Sequence, residues 1–179
     1  SRFPRTRLDA EVLRDGALRA SGLLSTKMGG PGVYPPQPEG ITEVTFGQPK
    51  WPVSTGEDRH RRSIYTFIKR TAPFAFFTTF DGPRGESCLA RRDVSNTPLQ
   101  ALSVMNDVAF TEAAQAFGRL LAAAPGDLDA RITELFRRCL IRPPSPEETR
   151  ELRVFLDRQM TRFRSGELDP AKLAGDGPG

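Results

Sequence analysis

The chain has little of the chemistry from which many metal and catalytic centres are made. Its 179 residues include one histidine, His60, and two cysteines, Cys88 and Cys139. One histidine excludes a histidine-based metal cluster built by this chain alone, and no Cys-x-x-Cys-His is present for covalent c-type haem, so no cofactor is expected in the chain itself. The cysteines lack metal-ligand spacing. A disulfide between them stays open for an oxidising compartment, the alternative being an unpaired thiol with Cys139 on an apolar helical face. Long apolar runs are missing as well, and nothing approaches the ~18–20 residues of a membrane span. Only 37% of the residues are hydrophobic, so a modest core is expected. No signal peptide opens the chain, and its first residue is Ser1. The expectation is an excised or processed piece of a longer protein, whose targeting this segment does not report.

Glycine and proline are abundant, at 16 each, which implies much loop in a single domain of ordinary size. The net charge is +4, and arginine dominates the basic residues. The excess lies between Glu57 and Arg92, where Arg59, Arg61, Arg62, Lys69, Arg70, Arg84, Arg91 and Arg92 face Glu57, Asp58, Asp81 and Glu86. Arginine favours fixed, bidentate contacts with carboxylate, phosphate or sulfate. A GC-rich genome would also raise the arginine content.

Periodicity gives an all-α class, with at most one short strand or hairpin. Residues 6–24 read as a helix that Gly22 weakens. Residues 29–56 are a Gly/Pro-rich insertion, held by Tyr34 and Trp51, in which 41–46 alternates like a strand. The 57–92 segment is basic and aromatic. Ile64, Phe67 and Ile68 share a helical face there, the Phe74–Phe80 stretch reads as extended or as a helical turn, and Phe80-Asp81-Gly82-Pro83 is a turn signature. Residues 97–163 are expected to form the helical core. Thr97 and Gln100 fit a capping box with Pro98 at the first position, Asp107 and Asp127 cap two further helices, and Ser145-Pro146-Glu147-Glu148 opens the last. Phe110, Phe117, Leu121, Ile132, Leu135, Phe136, Leu152 and Phe155 are the expected core, and 1–166 the single domain. Residues 167–179 are expected to be a flexible tail.

The stretch Arg61-Arg62-Ser63-Ile64-Tyr65-Thr66-Phe67-Ile68-Lys69-Arg70-Thr71 is followed by Phe80-Asp81-Gly82-Pro83. Then come Arg91-Arg92, Asn96-Thr97-Pro98-Leu99-Gln100-Ala101-Leu102 and Asn106-Asp107. With Met28-Gly29-Gly30-Pro31 before them and Arg142-Pro143-Pro144-Ser145 after, these blocks resemble a planctomycete secreted domain of unknown function. The resemblance spans roughly residues 5–160. It implies a helical fold, export to the periplasm or beyond, and a position as the C-terminal portion of a larger protein that often carries cytochrome c-like domains. Haem would then sit on a partner or parent domain. The resemblance supplies no catalytic residues.

Arg62, Arg70, Asp81, Arg92 and Asn96 are the candidate ligand- or anion-binding residues. Either the arginines converge on an anionic group, or they pin loops by binding carboxylates and carbonyls that lack helix or sheet partners. Arg92 and Asn96 are expected to hold the start of the Pro98 helix against the Arg62–Phe80 segment, with Arg92 turned toward a carboxylate such as Asp81 or toward loop carbonyls. Asp81 with Glu86 makes a weak glycosidase-type pair, Ser63 and Ser87 lack a nucleophile setting, and His60 among arginines reads as solvated. Gly29-Gly30-Pro31-Gly32 lacks the Lys-Ser/Thr ending of a phosphate loop. Aromatics interleaved with arginine favour core plus surface over nucleic-acid binding. The leading expectation is a non-catalytic packing module that assembles with the remainder of its parent polypeptide or with other subunits. The alternatives are an enzyme or electron-transfer-associated domain acting on polysaccharide or beside a cytochrome, and an anion-binding module suited to an anionic glycan.

Overall fold

The computed structural model describes residues 7–38, 40, 51–83, 85 and 90–175. The expected strand at 41–46, Glu86, Ser87 and Cys88, with its proposed pairing to Cys139, lie outside the described residues. Within them the chain is mostly helical and has no sheet. The helices are α1 (Ala10–Ser21), α2 (Ala75–Thr79), α3 (Pro98–Asn106), α4 (Val108–Ala123), α5 (Leu128–Leu140), α6 (Pro146–Arg164) and α7 (Pro170–Ala174), with two short 3-10 turns at Gly56–His60 and Ser63–Tyr65. No described helix is long and apolar enough to cross a membrane.

Local chemistry fixes most helix starts. Thr97 Oγ1 accepts from Gln100 N while Gln100 Oε1 accepts from Thr97 N, and Ser145 and Glu148 exchange the same two bonds. Asp107 and Asp127 accept from the first-turn amides of α4 and α5. At each of these four helix starts, one or two of the unpaired donors are thereby satisfied from within the sequence. Gly22 ends α1 in the left-handed region at φ 80°, where its N–H reaches back to the last turn.

The core is centred away from most of the residues that the amphipathic patterns suggest, although Phe110 packs against it and Ile132 and Phe136 are buried. It is an aromatic cluster of Phe74, Phe76, Phe77 and Phe80 with Ala10, against which Leu13, Trp51 and Phe110 pack. Phe76 and Phe80 ring centroids are 4.6 Å apart, and Phe76 and Phe110 5.3 Å. Within the Phe74–Phe80 stretch, Ala75–Thr79 forms a helical turn with Phe74 and Phe80 at its two ends, and Phe76 and Phe77 are buried on it. Of the expected core, Ile132 and Phe136 are buried, whereas Phe155 is 58% exposed and α6 buries no residue. Ile64, Phe67 and Ile68 are also exposed rather than packed on a helical face. Their segment is two 3-10 turns joined by extended residues.

The Gly/Pro-rich insertion is anchored as its aromatics suggest. Trp51 meets Tyr34 edge-on and stacks on Phe74, and its Nε1 donates to Pro35 O at 2.7 Å. Where a flexible tail is expected, α7 forms and is held to α4 by Gln115 and Arg119 donating to Leu173 O and Ala174 O.

Candidate functional site

Two polar seams hold the loops to the helices. The first centres on Asp81, which adopts a left-handed backbone at φ 58° in the turn after α2. That turn is tight. Gly82 N donates to Phe77 O at 2.7 Å, and a Cβ on Gly82 would lie 2.9 Å from that oxygen, so only glycine fits. The Asp81 carboxylate accepts from Ser95 N at 2.8 Å and from Ser95 Oγ, and is paired with Arg7. The Ser95 backbone bond and Arg7 hold its carboxyl below the usual range. Arg7 also donates to Ser95 O and Phe80 O. Gln100, 4% exposed, completes the seam by donating to Thr79 O and Ser95 Oγ, each at 3.0 Å. A buried amide is thus fully used, tying α3 to α2.

Arg92 does not reach Asp81. Arg7 has taken that carboxylate, and Arg92 instead makes a two-pronged pair with Glu11, at 2.8 and 3.0 Å, with Asp9 at 3.6 Å. The pairing is consistent with electrostatics at a helix start: the acidic first turn of α1 attracts a cation that the positive end of α3 disfavours. Asn96 is exposed beside the capped start of α3, while Thr97 and Gln100 do the capping. Arg62 and Arg70 are exposed, and among the described residues Arg62 reaches the Met28 sulfur at 3.8 Å. The five candidate residues therefore divide: Asp81 and Arg92 belong to two separate ion pairs, and Arg62, Arg70 and Asn96 face solvent.

The second seam contains residues that sequence reasoning passed over. Arg14, 1% exposed, lies between α1 and the 59–63 loop and donates to Arg61 O at 2.8 Å, Arg59 O at 3.1 Å and Ser63 Oγ at 3.3 Å. Burial lowers its pKa to about 10, against the opposing pull of Asp15, Asp107 and Glu112. Arg61, equally buried, donates to Pro31 O, Lys27 O and Gly29 O and lies 3.8 Å above the Tyr65 ring. Arg61 thus holds the Met28-Gly29-Gly30-Pro31 loop. His60 is buried, not solvated as expected, and its Nε2 lies 3.0 Å from Glu112, which Arg59 also binds with two nitrogens. Burial raises the Glu112 pKa, but the His60 and Arg59 hydrogen bonds and the Arg59 charge outweigh it and hold the carboxyl at about 2.

One clue to Arg14 was in the sequence. Ala10, Arg14, Leu18 and Ser21 are the buried residues of α1, and their spacing of four, four and three is a single helical stripe. An arginine on that stripe had to be met by acceptors. Nothing local points to the Arg59–His60–Glu112 group, because Glu112 lies more than 50 residues from the other two.

An open apolar surface lies beyond the seams. A groove of about 360 Å³ runs between α2 and α3, with Phe76 and Ala75 at its base and Leu99 and Leu102 on its wall. Leu99, Leu102 and Met105, spaced by three along α3, are 61%, 56% and 78% exposed. Chemically, the seams are closed: each carboxylate in them is already matched by a guanidinium or backbone amide. The groove, by contrast, is an apolar surface left open among the described residues.

No match was found among curated proteins or among solved structures. A family model described as PSD1, protein of unknown function (DUF1553), matches residues 1–156. The chain belongs to this family of unknown function.

Proposed function

We propose that this domain is a non-catalytic interaction module of an exported, multidomain protein, docking through the α2–α3 groove onto the remainder of its parent polypeptide or a partner subunit. One observation carries this reading: the α3 stripe of Leu99, Leu102 and Met105, more than half exposed on every residue, borders a groove with an aromatic floor. Such a surface is costly to leave in water and marks a contact site. The engagement of Arg59, Arg61 and Arg92, three of the basic residues between Glu57 and Arg92, in ion pairs and loop pinning supports it, since that part of the arginine excess is then structural. The planctomycete-type resemblance supports the exported setting and a cytochrome-bearing parent, with haem on another domain. An anionic-glycan role would have to rest on Arg62 and Arg70.

The test is site-specific photo-crosslinking from position 102 in the native assembly, with position 172 as an exposed control. The expected product joins position 102 to one defined segment of the parent chain or one subunit, and Leu99→Asp abolishes it. Crosslinking from position 102 no more specific than from position 172 would remove the groove as a docking site.

A further inference from the structure

The longest helix carries an outward stripe that the groove reading does not use. In order along α6 it consists of Glu147, Glu151, Val154, Phe155, Arg158 and Arg162. The steps of four, three, one, three and four keep all six within about 100° of the helix surface. Val154 is 45% and Phe155 58% exposed. Acid at the start of a helix and base at its end are favoured by the helix dipole in any protein, so the charges alone point to nothing. The exposed aliphatic–aromatic pair midway between them has no such explanation. Among the described residues, Glu147, Glu151 and Arg158 make no ion pair, and Arg162 is bound by Glu167 on its own chain.

The stripe is symmetric about its midpoint with its charge inverted: acidic, acidic, apolar, apolar, basic, basic, at mirrored spacings. We propose that α6 is a self-association surface on which a second copy of this chain docks its own α6 antiparallel, about a two-fold axis passing between Val154 and Phe155. In that arrangement Phe155 packs on Val154 of the second copy, Glu151 faces Arg158 of the second copy, and Glu147 faces Arg162 of the second copy. The two-fold axis repeats each contact. A parallel pairing would set glutamate against glutamate and arginine against arginine, so the pattern selects the antiparallel form. α6 packs on α5 and buries none of its own residues, which leaves the stripe accessible. One helix crossing covers less than the roughly 1,200–2,000 Å² of a stable interface. The dimer is therefore reversible, with a dissociation constant between about 10 and 500 μM. This proposal rests on α6 alone and stands or falls separately from the groove.

Sedimentation velocity across a concentration series up to about 500 μM, a range that captures affinities weaker than about 10 μM, reads the equilibrium. The expected result is a mass rising from monomer toward dimer, lost in Phe155→Asp. Glu151→Arg and Arg158→Glu should each weaken self-association at least about tenfold. Mixing those two variants restores it. In the mixed dimer one end keeps the native Glu151–Arg158 pair, and the other carries the same pair with its charges exchanged. Far-UV circular dichroism of each variant verifies folding, which substitutions on an unburied face leave intact. A monomer throughout the series would overturn the proposal. So would a dimer indifferent to Phe155→Asp, or charge variants that fail to pair when mixed.

Discussion

Replacing Arg14 tests whether buried arginines, rather than apolar contacts alone, hold the loops of this domain. Arg14→Ala removes a guanidinium that serves three acceptors, the carbonyl oxygens of Arg61 and Arg59 and the hydroxyl of Ser63. Each buried acceptor left unpaired costs about 1–3 kcal/mol, and the aliphatic stem adds a packing loss. Against this, the variant escapes the cost of burying a charge, which the fall in the Arg14 pKa to about 10 expresses. That fall, at about 1.4 kcal/mol per pKa unit, recovers about 3 kcal/mol at most. The balance is a loss of about 3–5 kcal/mol if the carbonyls stay dry, in line with breaking other buried charged contacts. Arg92→Ala is the comparator. Its side chain is 36% exposed and its partner Glu11 27%, so solvent screening limits its loss to under about 1 kcal/mol. Urea unfolding monitored by far-UV circular dichroism and by the fluorescence of Trp51, which reports on the aromatic core, gives both values. An Arg14→Ala cost below about 1 kcal/mol, or one equal to that of Arg92→Ala, would refute the view that Arg14 is a buried staple.

Glu112 predicts an acid limb of stability. Its carboxyl, held at about 2 against an ordinary 4.5, contributes stability that is fully present above about pH 4.5 and is lost as the pH falls toward 2; the shift corresponds to up to about 3 kcal/mol. Glu112→Gln should lower stability at neutral pH and flatten that limb, and an unchanged limb in urea midpoints measured from pH 6 to 2.5 would count against the Arg59–Glu112–His60 group. Ser145→Ala should cost roughly 0.5–2 kcal/mol through loss of the N-cap of α6. A midpoint indistinguishable from the parent's would mean that the bond from Glu148 N to Ser145 Oγ contributes nothing in solution.

The helices after Thr97 were legible because their boundaries are local events. A capping box needs residues three apart, and Asp107, Asp127 and Ser145 each sit directly before the amides they satisfy. Their packing was not legible, because amphipathicity reveals a face and not the surface that covers it. α6 has an apolar stripe and a complete capping box, yet it lies at the edge against α5, and Phe155 faces outward. The true core was hidden in the opposite way. Phe74, Phe76, Phe77 and Phe80 lie too close together in sequence to give a helical stripe longer than two turns, and their partners, Ala10, Trp51 and Phe110, are distant in sequence.

The arginines teach the same lesson from the polar side. A Gly/Pro-rich chain leaves many carbonyls without helix or sheet partners, so multi-donor side chains had to satisfy them. That inference holds, but for Arg7, Arg14 and Arg61 rather than for the motif arginines Arg62 and Arg70. Adjacent Arg61 and Arg62 show why the motif could not decide. Successive residues in extended backbone point to opposite sides, so one guanidinium enters the loop and the other faces solvent. Asp81 was claimed by Arg7 for a comparable reason. Arg92 lies against the acidic first turn of α1, where Glu11 and Asp9 offer it two carboxylates. The side chain that reaches Asp81 belongs instead to a residue 74 positions away in sequence. Composition thus dictates how many donors the loops require, while the packing of α1 against α4 and the 59–63 loop decides which residues supply them.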